Sequence, residues 1–236
     1  MKVWGYWATF GWAVLAFFVG QFGGLALIVL LRRGGVEAVL AAPFDGVLVS
    51  QILLVSNPIT IALIALAVRL ARASFRGYLA LEWPRRLDLT AGLAALAVLI
   101  AASDAILYLT GQLLVTPFQS ESYSTAAAAG WLAPMLFATV ILAPAGEEVL
   151  FRGFLFRGWA RSPRSVWPAI VAISLLWAAL HIQYDWVGML QIFVVGLFLG
   201  WMRWLSGSTL LTFMLHALFN LEGTIETVVQ LYVLAH

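Results

Sequence analysis

The sequence predicts an all-α protein, a polytopic membrane helix bundle of about seven to eight transmembrane helices. Composition is the first reason. Hydrophobic residues make up 63% of the 236 and charged residues only 10%, against about 25% charged in soluble domains. Mean hydropathy is +0.98. The second reason is spacing: apolar runs recur at close to the ~20 residues a helix needs to cross the hydrocarbon layer, and the length leaves room for about six to eight of them.

Read against Gly, Pro and Arg breakers, the runs fall at 6–31, 47–68, 89–111, 129–158, 166–182, 187–205 and 208–235. The first is too long for the apolar part of a signal peptide and ends in Arg32-Arg33, so it reads as a retained helix. The second contains Asn57-Pro58, which reads as a kink or, alternatively, as part of a lateral gate. The stretch 69–88 carries five arginines among Phe75, Tyr78, Leu79, Leu81 and Trp83. It is either an amphipathic piece along the interface or an ordinary basic loop. Asp104 lies in the third run with no motif around it, and 111–128 reads as a loop whose one charge is Glu121. In the sixth run Gly196 and Gly200 form a small-xxx-small pair suited to close helix packing. A break of the last run at Gly223 would make eight helices. The chain reads as a single domain, 1–236. Residues 1–128 supply three crossings, and 129–222 form a core that holds nearly all of the intramembrane polar groups.

Arginine placement sets the orientation. With the N-terminus inside, Lys2, Arg69, Arg72, Arg76, Arg85, Arg86, Arg157, Arg161, Arg164 and Arg203 face the cytoplasm, and Arg32 and Arg33 face out. Cysteine is absent, which excludes disulfides, thiolate metal sites and a Cys nucleophile. The pI of 9.2 reflects a small Arg excess over few acids. Because those arginines are spread over loops, nucleic acid is excluded as a partner. The expected setting is the lipid bilayer of a prokaryotic plasma membrane.

Polar residues inside that bilayer are few and therefore informative. Glu147 and Glu148 are adjacent within an apolar stretch, and each charge at a helix centre costs about 2.5–3.5 kcal/mol. Four residues on, Arg152 shares a helix face with Glu148, so the pair can neutralise each other. Glu147 lies about 100° around the helix and has no such partner, which leaves it free for chemistry. His216 and Asn220 share one face of the seventh helix, and His181 lies near the end of the fifth. Counted by helix rise from the arginine-bearing loops, Glu147, His181, His216 and Asn220 come to roughly 18, 21, 14 and 20 Å. One layer holds all four.

A carboxylate, two imidazoles and an amide suit the activation of water. Glu147 can act as general base, His181 can orient the water, and His216 and Asn220 can donate to an oxyanion on a peptide carbonyl. Alternatively Glu147, His181 and His216 can hold a zinc ion that acidifies the water. The sequence leaves the metal-free and metal routes equally open.

Three motifs carry a resemblance. Glu147-Glu148-Val-Leu-Phe-Arg152 resembles the EExxxR signature of the CAAX-processing and bacteriocin-processing (CPBP, or Abi) family of intramembrane proteases. Trp177-Ala-Ala-Leu-His181 is similar to the second motif, with Trp where the usual aromatic is Phe, and His216-Ala-Leu-Phe-Asn220 to the third. The resemblance implies a helical bundle with a conical cavity open toward cytosol and lipid. It implies an endopeptidase acting on a peptide or lipid-modified protein near the cytoplasmic membrane face. Glu147 would be the activating acid, with His181, His216 and Asn220 holding water or oxyanion and Glu148 and Arg152 in support. CAAX-type and peptide-precursor processing are both within the family's range, as is a catalytically silent immunity or scaffold protein. An ion-coupled transporter is the rival from another class, because intramembrane Glu and His also mark ion pathways. No repeated half or paired broken helix supports it.

Overall fold

A computed structural model describes residues 3–31 and 35–233. Lys2, Arg32, Arg33 and His236, and the last residues of the seventh apolar run, lie outside the described residues. The described chain is all helix and turn: α1 (Tyr6–Leu31), α2 (Gly35–Leu40), α3 (Gly46–Leu70), α4 (Phe75–Leu79), α5 (Arg86–Leu109), α6 (Pro117–Ala128), α7 (Leu132–Trp159), α8 (Val166–Ala179), α9 (Trp186–Ser206) and α10 (Thr209–Tyr232). Among the described residues α1, α3, α5, α7 and α9 are long and apolar enough to cross a membrane. α8 is a shorter apolar helix. α10 carries His216, Asn220, Glu222 and Glu226 and is not one of the five. It runs unbroken through Gly223, so the break that would have made an eighth helix is not formed.

Hydrogen bonds between loops fix which ends meet. At one end Trp159 Nε1 donates to the Tyr6 carbonyl (3.3 Å), Thr209 N to the Ala80 carbonyl (2.9 Å) and Ser208 Oγ to the Glu82 carbonyl (2.5 Å). The arginines of 69–86 and 157–164 collect there. At the other end Ser122 Oγ donates to the Phe44 carbonyl (2.9 Å), Gly46 N to Thr125 Oγ1 (2.8 Å), and the Phe118 ring meets Tyr184 edge-on.

Two loop expectations change. The stretch 111–128 is not all loop, because Thr116 and Gln119 form a capping box across Pro117 at the start of α6. The stretch 69–88 lies against the protein: α4 buries Tyr78 and Leu79 completely, with Tyr78 stacked on Phe154 at 5.6 Å.

α7 is the central helix. Half of its best apolar window is buried inside the protein, against 17% for α5 and 22% for α1. It is also irregular. Phe137–Leu142 and Val149–Leu155 are wound as π-helix, and the α-helical turn Ala143–Glu148 between them carries both acids. π-turns recur at functional sites because each shifts the following residues around the helix by about one position. α3 packs on this turn: a Cβ added to Gly146 would overlap Asn57 Oδ1. α8 and α9 close the other side. A Cβ at Gly196 would lie 2.9 Å from Ser174 Cβ, and one at Gly200 2.8 Å from Ile170 Cγ2, as the small-xxx-small pair anticipates.

Arg203 departs from its expected place. Counted among the cytoplasmic arginines, it is 5% exposed and sits inside the bundle on α9. His181 also lies beyond its expected helix: α8 ends at Ala179, and His181 occupies the turn leading to Trp186, at the end remote from the arginine-rich loops.

Candidate active site

Glu148 sits at the end of the central turn of α7, 1% exposed. Its Oε1 accepts from Arg152 Nη1 at 2.7 Å and from His216 Nδ1 at 3.0 Å. The spacing of four therefore yields the expected ion pair, even though the helix is π-wound beyond Glu148. A carboxylate accepts only, so Nδ1 of His216 carries the proton and Nε2 is turned outward. A carboxylate behind an imidazole fixes ring orientation and tautomer, as it does behind metal-bound and catalytic histidines.

Glu147 differs from its neighbour. Its side chain keeps 26% exposure. It has no guanidinium partner, and Trp177 Nε1 donates to its Oε2 at 2.5 Å. The same oxygen stands 4.0 Å from His216 Nε2.

Trp177 lies at the centre of this group. Its ring meets His181 edge-on at 5.2 Å and His216 edge-on at 5.1 Å, and the Arg152 guanidinium lies 4.4 Å from its centroid. His181 Nδ1 is 2.8 Å from the Trp177 carbonyl, so it must donate there, and a neutral His181 presents a lone pair at Nε2. Tyr184 lies beyond, its ring 6.2 Å from His181. Burial raises the Tyr184 phenol above its ordinary range, and the nearby Glu147 carboxylate acts in the same direction, so it stays a neutral hydroxyl.

Asn220 is engaged differently from His216. Its Nδ2 donates to the Thr139 carbonyl at 2.8 Å, one turn further along α10, and one amide N–H and the amide oxygen take no part in that bond. The sequence therefore places Glu147, Glu148, Arg152 and His216 in one connected cluster. His181 joins it through Trp177, and Asn220 of α10 reaches α7 beside it at the Thr139 carbonyl.

Among the described residues, the acid and imidazole groups whose ligand atoms lie within 4.8 Å of one another are Asp104, Glu222 and Glu226. Glu147, His181 and His216 do not form such a group, and the Trp177 indole stands between the two imidazoles. As arranged, these three do not fit a zinc site.

Residues 129–221 match the protein family described as type II CAAX prenyl endopeptidase Rce1-like. They form an Rce1-like domain. The match covers the Glu-Glu turn, Trp177, both imidazoles and Asn220. The chain is also 34% identical over 115 residues to an uncharacterised 24.3 kDa protein of Escherichia coli, over 46% of this chain and 52% of that protein. It thus spans about half the length of the curated relative it matches. No solved structure matches the chain.

Sequence reasoning missed the hydrogen bond of Trp177, the carbonyls that Asn220 and Arg203 reach, and the carboxylate group around Asp104. The i,i+4 spacing of Glu222 and Glu226 was a visible signal for the last.

Proposed function

We propose that the Rce1-like domain is an intramembrane endopeptidase that hydrolyses a peptide bond by glutamate-activated water. The observation that carries this reading is the 4.0 Å between Glu147 Oε2 and His216 Nε2. That distance is too long for a direct hydrogen bond, and one water can touch both atoms at ~2.8 Å. Glu147 takes a proton from this water, and the hydroxide adds to the substrate carbonyl carbon. The oxyanion that forms accepts from the second amide N–H of Asn220. Collapse of the adduct breaks the C–N bond, and the proton held by Glu147 passes to the leaving amine. Glu148 and Arg152 keep the His216 ring in place. The water's other hydrogen is donated to His216 Nε2, which aligns it, and His181 stands on the other side of the Trp177 ring, holding that ring through the Trp177 carbonyl.

The substrate class is a peptide carried into the bilayer by its own apolar segment or by a lipid group, of the CAAX or precursor kind. The test is cleavage of a lipid-anchored fluorogenic CAAX-type peptide by purified protein, wild type beside Glu147→Gln, with and without a zinc chelator. Loss of about 10²–10⁴-fold in Glu147→Gln is expected, with the wild type indifferent to chelator. Chelator-sensitive activity restored by zinc would replace the metal-free route by the metal one. Full activity in Glu147→Gln would remove Glu147 from the chemistry.

A further inference from the structure

In an α-helix each carbonyl accepts from the N–H four residues on, and a π-turn moves that donor to the carbonyl five residues back. Where a π-segment returns to α-winding, one carbonyl is passed over. α7 has two such places. The Ala143 N–H goes to the Ala138 carbonyl instead of Thr139, and the next residue, Pro144, has no N–H. The Phe156 N–H goes to the Phe151 carbonyl instead of Arg152. An unpaired buried carbonyl is costly at any depth, and more so where no water reaches it.

Both passed-over carbonyls accept from side chains. Asn220 Nδ2 reaches the Thr139 carbonyl at 2.8 Å, and Arg203 Nε reaches the Arg152 carbonyl at 3.1 Å. The turn that carries Glu147 and Glu148 lies between these two points. Arg203 is buried on α9, with its guanidinium 5.2 Å from the Phe156 ring. From the same helix the Gly196 carbonyl accepts from Arg152 Nη2 at 3.3 Å. Arg152 is thus gripped by α9 at both its main chain and its side chain, and Arg152 holds the carboxylate that orients His216.

We propose that Arg203 is a positioning residue for the candidate active site. Its Nε–H occupies the carbonyl that the second π-segment releases, and so keeps Val149–Leu155 π-wound with Arg152 turned onto Glu148. Without that donor, the segment regains the carbonyl's partner by rewinding to α, which rotates Arg152 relative to the Glu-Glu turn. The proposal rests on the proteolytic reading for its kinetic consequence and on the hydrogen bond for its structural one.

The side chain of glutamine places Nε2 the same number of bonds from the backbone as arginine Nε. Arg203→Gln therefore keeps the N–H and drops the charge, whereas Arg203→Leu drops both. Two readouts are taken on the monodisperse folded fraction: amide hydrogen exchange over residues 148–157, and cleavage of the lipid-anchored CAAX-type peptide. Arg203→Leu is expected to alter the protection pattern of 148–157, as its N–H groups change carbonyl partners, and to lower kcat about 10- to 100-fold, the effect of misplacing groups by about an ångström, with KM nearly unchanged. Arg203→Gln should retain both protection and kcat, as should the exposed control Arg164→Gln. Wild-type exchange in Arg203→Leu, or an Arg203→Gln as impaired as Arg203→Leu, overturns the proposal. If Arg203→Leu does not fold, Arg203→Met is the donor-free variant read in its place. If the wild type cleaves nothing, the proteolytic reading fails by itself, and the exchange result still decides the role of Arg203.

Discussion

Trp177 joins the groups that matter most: its indole N–H meets Glu147, its face meets Arg152, and both imidazoles stand against its edges. Phenylalanine would keep the wall and lose the donor. A hydrogen bond to a charged acceptor contributes about 1.5–3 kcal/mol net, and the partial exposure of Glu147 favours the lower end of that range. Trp177→Phe is therefore expected to lower unfolding stability in detergent by about 1–2 kcal/mol. Cleavage should survive, because both carboxylate oxygens remain to take the water's proton. Loss of cleavage in a folded Trp177→Phe would mean that the indole N–H acts on the substrate. The sequence made the acids and imidazoles legible because ionisable groups in lipid are rare and a spacing of four assigns them a common face. It concealed Trp177 and Arg203 for one reason. Eleven Trp in an apolar chain read as bulk, and an arginine near a helix end reads as a surface charge. Each is decided by a partner on another helix, Glu147 in one case and the Arg152 carbonyl in the other.

At the scale of the element, α7 was legible as a crossing, and its winding was not. Hydropathy counts apolar residues and is indifferent to whether 3.6 or 4.4 complete a turn, so Phe137–Leu142 and Val149–Leu155 look like ordinary helix. Pro144 was the one local hint, since it removes an N–H from the middle of the helix. The same turn explains Gly146. α3 approaches so closely that a methyl group there would overlap the Asn57 amide oxygen and lie 2.9 Å from its Cγ. Asn57 has little room to give, being 5% exposed with its Nδ2 donating to the Leu53 carbonyl at 3.1 Å. Gly146→Ala should cost about 1–3 kcal/mol by overpacking and depress cleavage through displacement of the adjacent Glu147. The double variant Gly146→Ala/Asn57→Ala should recover part of both. Additive losses in stability and rate would show that the two side chains do not meet.

Over the whole molecule, charge is distributed by end. Arg69, Arg72, Arg76, Arg85, Arg86, Arg157, Arg161 and Arg164 gather with the start of α1, while Asp45, Glu121 and Asp185 lie at the opposite end. By the arginine bias the first end is expected to face the cytoplasm. Removing Arg203 from the cytoplasmic set leaves that asymmetry intact. Because the chain has no cysteine, single Arg164→Cys and Ile182→Cys variants report the two ends without background. A membrane-impermeant maleimide applied to intact cells should label position 182, which is exposed beside His181, and should reach position 164 only after permeabilisation. The reverse pattern would invert the orientation. The result bears directly on the substrate. Glu147 lies roughly 18 Å from Trp159 and 22 Å from Leu132 by helix rise, near mid-depth, so depth alone favours neither face. The turn bearing His181 lies at the acidic end, whereas the sequence motifs imply entry from the cytoplasm. Vesicles of fixed orientation separate these routes when the lipid-anchored peptide is confined to one leaflet. Cleavage from the arginine-rich leaflet alone would support cytoplasmic entry. Cleavage only from the opposite leaflet would place entry beside the His181 turn, with the same Glu147 and His216 facing the substrate.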